Sequence, residues 1–396
     1  MPRRFFVLAG IGLVLAGGLF ARREITERAW EQRRGELLEQ ALFPEQVRRP
    51  WEVRFDALQE RLLAAPGFDE VGSSPYRPVV ALGAGELRPL DDFERVWVES
   101  LWGELHGLDA LLVELRRLPL EDLEWHGRPV KLQVLRECVN ALCARAWLAV
   151  ERGEDLRAAE SYADALRLAR ATDDETSWAL MSSTACAWIA LDSARSALDL
   201  GLSPRELRAA LAPLLGEWSY SAERAERCIR RDLAALADFD PLQGAAWHDA
   251  RGQHAWALDW LAPVEEALAI ARRPVAATRW STGEPRSTEQ ASSALEQWTL
   301  APRHLHALHA RRNVALTALA VAAFREEHGA WPSALDRIAD LPGEHALDTL
   351  SGAPLAYSAD ESGARIGPAS WGERVEGWPV AGESPYVWTL RSSIGP

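Results

Sequence analysis

Three histidines follow closely on one another in the segment RHLHALHARR: His304, His306 and His309. Imidazole nitrogens bind zinc and other transition metals, and residues three apart share one face of a helix, so His306 and His309 could share an ion. His304 points about 160° away from His306, because each residue advances the helix by about 100°. The pattern indicates either the solvated start of a helix, which we favour, or a two-histidine metal site.

His248, Asp249 and His254 form a second group, in the segment HDARGQH. A turn would have to bring these side chains together before they could hold a metal ion, since a six-residue step is not a standard ligand spacing. Trp247 and Trp256 flank the group. Their large rings favour packing against the rest of the protein over metal binding.

Glu326, Glu327 and His328 place two carboxylates beside an imidazole, and these residue types perform general acid–base catalysis in many enzymes. They fall at the predicted end of a long helix, where the negative end of the helix dipole disfavours carboxylates. That placement is a weak indication of function. We favour a solvated helix end as the explanation.

No recognised catalytic motif occurs in the sequence. It contains no Gly-x-Ser-x-Gly, no His-Glu-x-x-His and no phosphate-binding loop, and its one lysine, Lys131, belongs to no Ser-x-x-Lys pair. We therefore assign no catalytic, cofactor-binding or metal-binding residue and expect no cofactor. An enzyme whose residues form no familiar motif stays open as an alternative.

The composition is that of an ordinary globular protein, with 48% hydrophobic and 26% charged residues in a chain of 396. A chain of this length is sufficient for two or three domains. The 58 acidic residues outnumber the 44 basic residues, which gives a net charge of -14. Because this charge repels phosphate groups, we expect no nucleic-acid partner.

An apolar run extends from residue 5 to residue 21, with a pair of arginines on each side. As a helix it is about 25 Å long, slightly less than a hydrocarbon core of about 30 Å, and the flanking arginines can extend toward the headgroups. The run predicts a transmembrane anchor that contacts the lipid bilayer through residues 5–21. The alternatives are a cleaved signal peptide, with Ala16 and Gly18 as the small residues before the cut, and a buried helix of a soluble protein.

Two opposing signals bear on membrane orientation. More arginines follow the apolar run than precede it, which by the positive-inside rule favours a cytoplasmic body. A basic stretch followed by an apolar one at the N-terminus is the pattern that export machinery recognises. We favour a single pass through the inner membrane, with a periplasmic or extracytoplasmic body.

The four cysteines are Cys138, Cys143, Cys186 and Cys228. Cys138 and Cys143 lie five residues apart on a predicted helix, about 140° around its axis, and cannot pair with each other. All four stand among small or apolar residues. This setting favours buried thiols over a disulfide between adjacent helices, the alternative that we keep open.

Helical periodicity dominates the middle of the chain, and stretches rich in Gly, Pro and Ser interrupt it. We therefore expect a mainly α fold. Its predicted parts are a membrane anchor (1–24), a solvated helical stalk and linker (25–89), an α-helical domain (90–328) and a small C-terminal α+β module (329–396). The segment 272–293 is predicted to be an exposed loop.

Local signals predict several element boundaries. The segment that begins Ser203-Pro204 is a capping box and predicts a helix that ends near Leu215. Another long helix is predicted from about Pro302 to His328. Gly329 suits the left-handed residue that ends a helix, and Ser333 is predicted to cap a short helix.

Downstream, strands are predicted for residues 355–358, 364–367 and 386–391, and the first two form a hairpin.

The stretch ERGEDLRAAESYADALRLA resembles the second helix of a tetratricopeptide repeat. After Gly153, the residues that match the repeat are Ala158, Tyr162, Ala165 and Leu166. No second copy occurs 34 residues further along the chain. The resemblance therefore implies one repeat-like hairpin within a larger helical array.

The C-terminal part resembles the corresponding region of type II secretion pseudopilins. The matching residues are Gly329, Trp331, Pro332, Leu335, Asp348, Gly352, Pro354 and Tyr357. Many pseudopilins bind calcium, but the corresponding loop here offers only Glu373 and Glu376, so we expect none. Anchor, helical region and ending together are similar to uncharacterised membrane-anchored helical proteins of planctomycete-like bacteria, which imply no activity.

These features favour a membrane-anchored extracytoplasmic scaffold or binding protein with a protein partner and an unknown ligand. The alternatives are an envelope hydrolase with an unrecognised active site and a secretion component of the pseudopilin type. A scaffold predicts a shallow groove lined by apolar or aromatic residues. A hydrolase predicts carboxylates or histidines that converge in a deep pocket.

Overall fold

The computed structural model describes residues 49–64, 91–105, 107–119, 131–171, 177–218, 289–349, 352–369 and 387–391, with single residues 28, 32, 123 and 228. Within these ranges the protein is mainly helical and has one small sheet, as the sequence predicts. The predicted anchor and the group around His248 lie outside them. In the part of the chain that is described, no helix is both long and apolar enough to cross a bilayer.

Eight α-helices occur in these ranges. They are α1 (Pro50–Ala64), α2 (Asp92–Glu104), α3 (Leu108–Arg116), α4 (Leu132–Glu151), α5 (Asp155–Ala171), α6 (Ser177–Asp199), α7 (Pro204–Glu217) and α8 (Glu289–His328).

Two short 3₁₀ turns follow α8 and lead into an antiparallel sheet. The turns are Leu335–Arg337 and Gly343–Ala346, and the strands are β1 (Ala356–Asp360), β2 (Gly363–Gly367) and β3 (Trp388–Arg391). The strand order is β1-β2-β3, and Tyr357 lies opposite Ile366. The predicted hairpin and third strand are confirmed.

Helices α4 and α5 form the predicted helix pair, joined at Gly153, whose φ of 70° is left-handed. The tetratricopeptide-like positions of α5 are all buried, and Tyr162 is completely inaccessible. Its hydroxyl lies 3.3 Å from the main-chain oxygen of Ser193 in α6. Small alanines around the ring let the helices approach closely. The helix pair is thus confirmed, while its relation to the repeat family stays a prediction.

An ion pair inside the helical body joins α3 to α5. Arg116 donates from Nε to Asp164 Oδ1 at 2.7 Å and from Nη2 to Oδ2 at 2.5 Å. Burial raises the pKa of Asp164, and the hydrogen bond from Arg116 opposes that rise. The bidentate geometry therefore offsets part of the cost of placing a carboxylate in the interior.

Helix α1 belongs to the segment that was predicted to be a solvated stalk, but its apolar side is buried. Trp51, Phe55, Leu58 and Leu62 are each no more than 4% exposed, and the helix packs against α3 and α4. Their spacing of three and four residues places them on one face. The stalk prediction is wrong for this helix, because its apolar face joins the core, and the charged residues Glu52 and Asp56 are buried with that face.

Helix α8 is longer than predicted. It ends at His328 as expected, but it begins at Glu289, so Pro302 lies inside it and part of the predicted 272–293 loop is helical. The prediction gave too much weight to Pro302 as a start signal, although the preceding residues are mostly good helix formers. Helix α8 packs against α6, α7 and the sheet, and so connects the helical body to the C-terminal module.

Polar side chains in the middle of α8 hold the second 3₁₀ turn. Asn313 is 1% exposed, and its Nδ2 donates to the main-chain oxygens of Glu344, at 3.2 Å, and Leu347, at 3.0 Å. Thr317 donates to the main-chain oxygen of His345 at 3.0 Å. Three main-chain carbonyl groups of the module thus depend on donors from one helix.

Arg312 lies beside these residues on α8, and its side chain contacts the C-terminus of α7. Its guanidinium donates to the main-chain oxygens of Leu215 and Gly216, the second at 2.6 Å, where helix carbonyls lack intrahelical partners. Nη2 also lies 3.3 Å from Nε2 of His345. Because an arginine only donates, this ring nitrogen accepts and is unprotonated.

The four cysteines are buried and form no disulfide, as their neighbours in the sequence predict. Burial raises the pKa values of Cys138 and Cys143 to about 12. These thiols are therefore protonated and unreactive at neutral pH.

Candidate functional site

An open groove of about 620 Å³ lies between the end of α8 and strand β1. One wall is formed by Arg325 and residues 329–333, and the other by residues 357–361. Both walls belong to the pseudopilin-like ending singled out from the sequence. The groove is therefore a property of the C-terminal module.

The first wall exists because α8 stops abruptly. Gly329 adopts a left-handed φ of 73°, which a side chain would disfavour, and its N–H donates to the carbonyl of Arg325 at 2.8 Å. Pro332 then prevents the helix from continuing. The predicted helix end is confirmed. The cap predicted at Ser333 is wrong, because the next element is a three-residue 3₁₀ turn preceded by Ala334 and has no side-chain cap.

The two walls are joined by one hydrogen bond from a tyrosine. Tyr357 of β1 donates from its hydroxyl to the carbonyl of Pro332 at 2.7 Å. Burial raises the pKa of Tyr357, which keeps the phenol protonated and able to donate. This bond fixes the distance between strand and helix end, and so the width of the groove.

A cation lies on an aromatic ring at the base of the first wall. The guanidinium carbon of Arg325 is 4.2 Å from the ring centroid of Trp331, which is within cation–π range. Nη1 of Arg325 also donates to the main-chain oxygen of Arg391 in β3 at 3.2 Å. The arginine is therefore held in place by helix end and sheet together.

The second wall ends in two neighbouring acidic residues, Asp360 and Glu361, both exposed. Asp360 accepts from the main-chain N–H of Ser362 at 2.8 Å, from its hydroxyl at 2.5 Å, and from the N–H of Gly363 at 3.1 Å. The side-chain bond from Ser362 is the largest cause of a lowered pKa at Asp360. The carboxylate is thus ionised at neutral pH and makes this end of the groove negative.

Glu326 has a different partner from the one that acid–base chemistry would require. Its Oε1 accepts from the hydroxyl of Ser203 at 3.0 Å, and its Oε2 accepts from the N–H of Arg205 at 3.0 Å. These donors belong to the N-terminus of α7, where the helix dipole favours a negative charge. The carboxylate that its own helix disfavours is stabilised by another helix. The helix start predicted at Ser203 is also confirmed, because Glu206 N–H donates to Ser203 Oγ, which is one of the two bonds of a capping box.

His328 turns back onto α8 and away from Glu326. Its Nδ1 donates to the main-chain oxygen of Phe324 at 2.9 Å, and the two rings stack with centroids 4.0 Å apart. The structure therefore does not bring Glu326 and His328 together as an acid–base pair.

Among the histidines of the first predicted group, the structure describes the side chain of His309. Arg312 Nη1 lies 3.4 Å from its Nε2. The side chains of His304 and His306 fall outside the described part, as does the group around His248. Within the described residues, no three histidine, cysteine, aspartate or glutamate side chains are grouped closely enough to hold a metal ion.

The charged residues of the groove, Arg325, Asp360 and Glu361, were not singled out from the sequence. The signal for Asp360 was present, since Asp-x-Ser-Gly is a pattern typical of a turn closed by an aspartate side chain. Arg325 had no comparable signal, because its ring partner and its strand partner are set by tertiary structure.

Comparison with models of known protein families, with curated proteins and with solved structures found no significant match for this chain. Its function is therefore inferred from the chemistry of the groove.

Proposed function

We propose that this chain is a membrane-anchored extracytoplasmic scaffold or binding protein, and that the groove is its binding surface. The observation that carries the proposal is the arrangement of Trp331 and Tyr357 on opposite walls of a wide, open groove with charged ends. Aromatic rings that are partly exposed supply contact area at low entropic cost. The apolar run at residues 5–21 supports the anchor.

The chemistry of the groove supports binding more than hydrolysis. The ionisable side chains among its described lining residues are Arg325, Tyr357, Asp360 and Glu361, with no histidine. Asp360 closes a turn, and Tyr357 donates to the opposite wall. Asp360 does accept from the hydroxyl of Ser362, but its lowered pKa makes it a weak base, and Ser362 is not among the residues that line the groove, so this pair is poorly suited to hydrolytic catalysis there.

A secretion component of the pseudopilin type is a weaker proposal. Helix α8 leads directly into the module, as in the resemblance, but a pseudopilin would need one continuous helix from anchor to module. Left-handed glycines at Gly153 and Gly201 interrupt the helical path well before α8.

Site-specific photocrosslinking in cells tests the binding proposal. A photoreactive amino acid is placed at Ser333 or Ser358, one on each wall of the groove, and the matched control position is Leu156, which is 60% exposed on α5. We expect both groove positions to cross-link to the same partner and Leu156 not to do so.

Two results would contradict the binding proposal. One is the absence of a cross-link from either groove position. The other is an identical set of cross-links from the groove and from Leu156, which would show adhesion without a defined site. Extraction of the full chain without detergent would separately contradict the membrane anchor.

A further inference from the structure

Strand β1 is an edge strand whose outer side faces the groove. Among the residues that the structure describes, it pairs with β2 alone, and four of its five residues are exposed. A two-residue turn joins Asp360 to Gly363, so these two residues face each other as a hydrogen-bonded pair. In an antiparallel ladder, hydrogen-bonded pairs alternate with pairs whose residues exchange no hydrogen bond. Tyr357 and Ala359 consequently turn their main-chain N–H and C=O groups away from β2.

These outward groups have no hydrogen-bond partner among the residues that the structure describes. The groove runs along them, because it is lined by consecutive residues from Tyr357 to Glu361, whose side chains alternate between the two faces of the sheet. A groove confined to one face would be lined by every second residue. The cavity therefore follows the strand edge, over about 17 Å of extended chain.

Proteins usually protect such edges from pairing with other chains. The common devices are an internal charge, a proline or a β-bulge. Strand β1 has the sequence Ala-Tyr-Ser-Ala-Asp, with no proline, a continuous register and its one charge at the end. Small side chains at Ser358 and Ala359 leave room beside the main chain.

We propose that β1 accepts an extended segment of a partner protein as a fourth strand. Its main chain bonds to Tyr357 and Ala359, an apolar side chain packs between Trp331 and Tyr357, and a basic side chain lies beside Asp360 and Glu361. This mode of recognition obtains affinity from main-chain hydrogen bonds and specificity from alternate side chains. The inference rests on the proposed binding function and specifies its ligand class.

Charge complementarity favours a partner protein over a second copy of this chain. The exposed carboxylate of Asp360, of which one oxygen is engaged in the turn, makes this end of the groove negative and favours a basic side chain in the occupant. Strand β1 of a second copy would bring no basic residue. Arg325 could not serve either, because it is already held by Trp331 and Arg391.

Selection of peptides on the purified full chain in detergent micelles tests the inference. The probe is a phage-displayed library of random peptides of about seven residues, long enough to cover β1. Enriched peptides should combine an apolar and a basic residue without proline between them. Their synthetic forms are then titrated against variants by fluorescence anisotropy.

Ala359→Pro removes one outward N–H and no bond to β2, so the sheet should keep its unfolding midpoint. We expect this variant to bind the peptides about tenfold more weakly or worse, since a main-chain hydrogen bond is lost. Ala359→Ser, the matched control, retains the N–H and should bind normally. Glu361→Arg should weaken basic peptides, and exchanging the peptide's basic residue for glutamate should restore binding.

Failure to enrich any peptide, or equal binding by Ala359→Pro and Ala359→Ser, would overturn strand addition. If the chain dimerises and Ala359→Pro abolishes the dimer, the occupant of the groove is a second copy of the chain. That result would also overturn the proposal of a partner protein. If the photocrosslinks from Ser333 and Ser358 succeed in these cases, the groove still binds a partner by another mode. If those cross-links fail as well, the proposed function fails.

Discussion

The helical body and the C-terminal module are held together in different ways. In the body, apolar side chains of α4, α5, α6 and α7 fill the interior, and its ion pair between Arg116 and Asp164 has bidentate geometry. The described part of the module contains a three-stranded sheet, whose apolar residues such as Ile366 and Trp388 join the core of the body, and polar side chains of α8 additionally hold the turn before the sheet. A closed interior confers stability, while the thin module leaves a strand edge and two rings accessible for binding.

The largest effect should come from breaking the core of the body. Replacing Tyr162 with alanine removes a completely buried ring from the contact between α5 and α6 and leaves a cavity. We expect Tyr162→Ala to lower the free energy of unfolding by about 3–5 kcal/mol, as for other buried aromatic residues. Chemical denaturation followed by circular dichroism measures this loss.

Tyr162→Phe is the control for the hydroxyl. It keeps the ring and removes only the bond to Ser193, so we expect a loss of about 1 kcal/mol. An equal loss in both variants would show that the hydroxyl, and not the packing of the ring, stabilises the body.

Much of the fold could be predicted from local sequence signals. The N-cap at Ser203, the left-handed Gly329 and the hairpin between β1 and β2 each depend on a few neighbouring residues, and each is confirmed. The start of α8 could not be predicted so well, because proline suits the first turn of a helix, whereas here the good helix formers before Pro302 extend the helix back to Glu289.

The groove could not be predicted in the same way. Its width depends on a hydrogen bond between Tyr357 and Pro332, which are 25 residues apart. The position of the Arg325 guanidinium depends on the packing of α8 against β3. Glu326 illustrates the same limit. The sequence shows that its carboxylate is unfavourably placed at a helix C-terminus, but its partner Ser203 lies 123 residues away and could not be predicted.

The next largest effect should separate the module from the body. Asn313→Ala removes the donor for two main-chain carbonyls, of Glu344 and Leu347, in a site that excludes water. Leaving these acceptors unpaired should cost about 1–3 kcal/mol. Hydrogen exchange should accelerate in residues 343–347 and in the sheet, while α5 remains protected.

Asn313→Asp is the matched control, because it keeps the shape of the side chain but cannot donate when ionised. It should loosen the module at least as much as alanine does. Equal loss of protection in α5 and in the module would contradict the division of the molecule that we describe.

A smaller effect is expected at the contact between the end of α8 and the start of α7. Glu326→Gln keeps the size of the side chain but removes the charge that accepts from Ser203 and Arg205. We expect a loss of about 0.5–1 kcal/mol, measured by urea denaturation. Glu327→Gln, at the same exposed helix end, is the control and should be neutral or slightly stabilising. A loss of the same size in both variants would refute the capping role.

The smallest effect should be a dependence of module attachment on pH. The ordinary pKa of a histidine is near 6.5, and burial lowers that of His345, with a further contribution from the charge of Arg312. The carboxylate of Glu344, with Oε1 3.7 Å from Nε2, acts in the opposite direction. The folded state therefore binds a proton at His345 less readily than the unfolded state does.

Stability must then fall as the pH drops below about 6.5, where the unfolded chain takes up a proton that the folded chain resists. Hydrogen exchange of residues 343–347, compared between about pH 7.5 and pH 5.5 after correction for intrinsic rates, should show this loosening. His345→Gln should reduce the dependence, and Glu344→Gln should strengthen it, because the opposing charge is gone. An unchanged dependence in His345→Gln would assign the effect to other groups, and the polar contacts of α8 would then hold the module independently of this histidine.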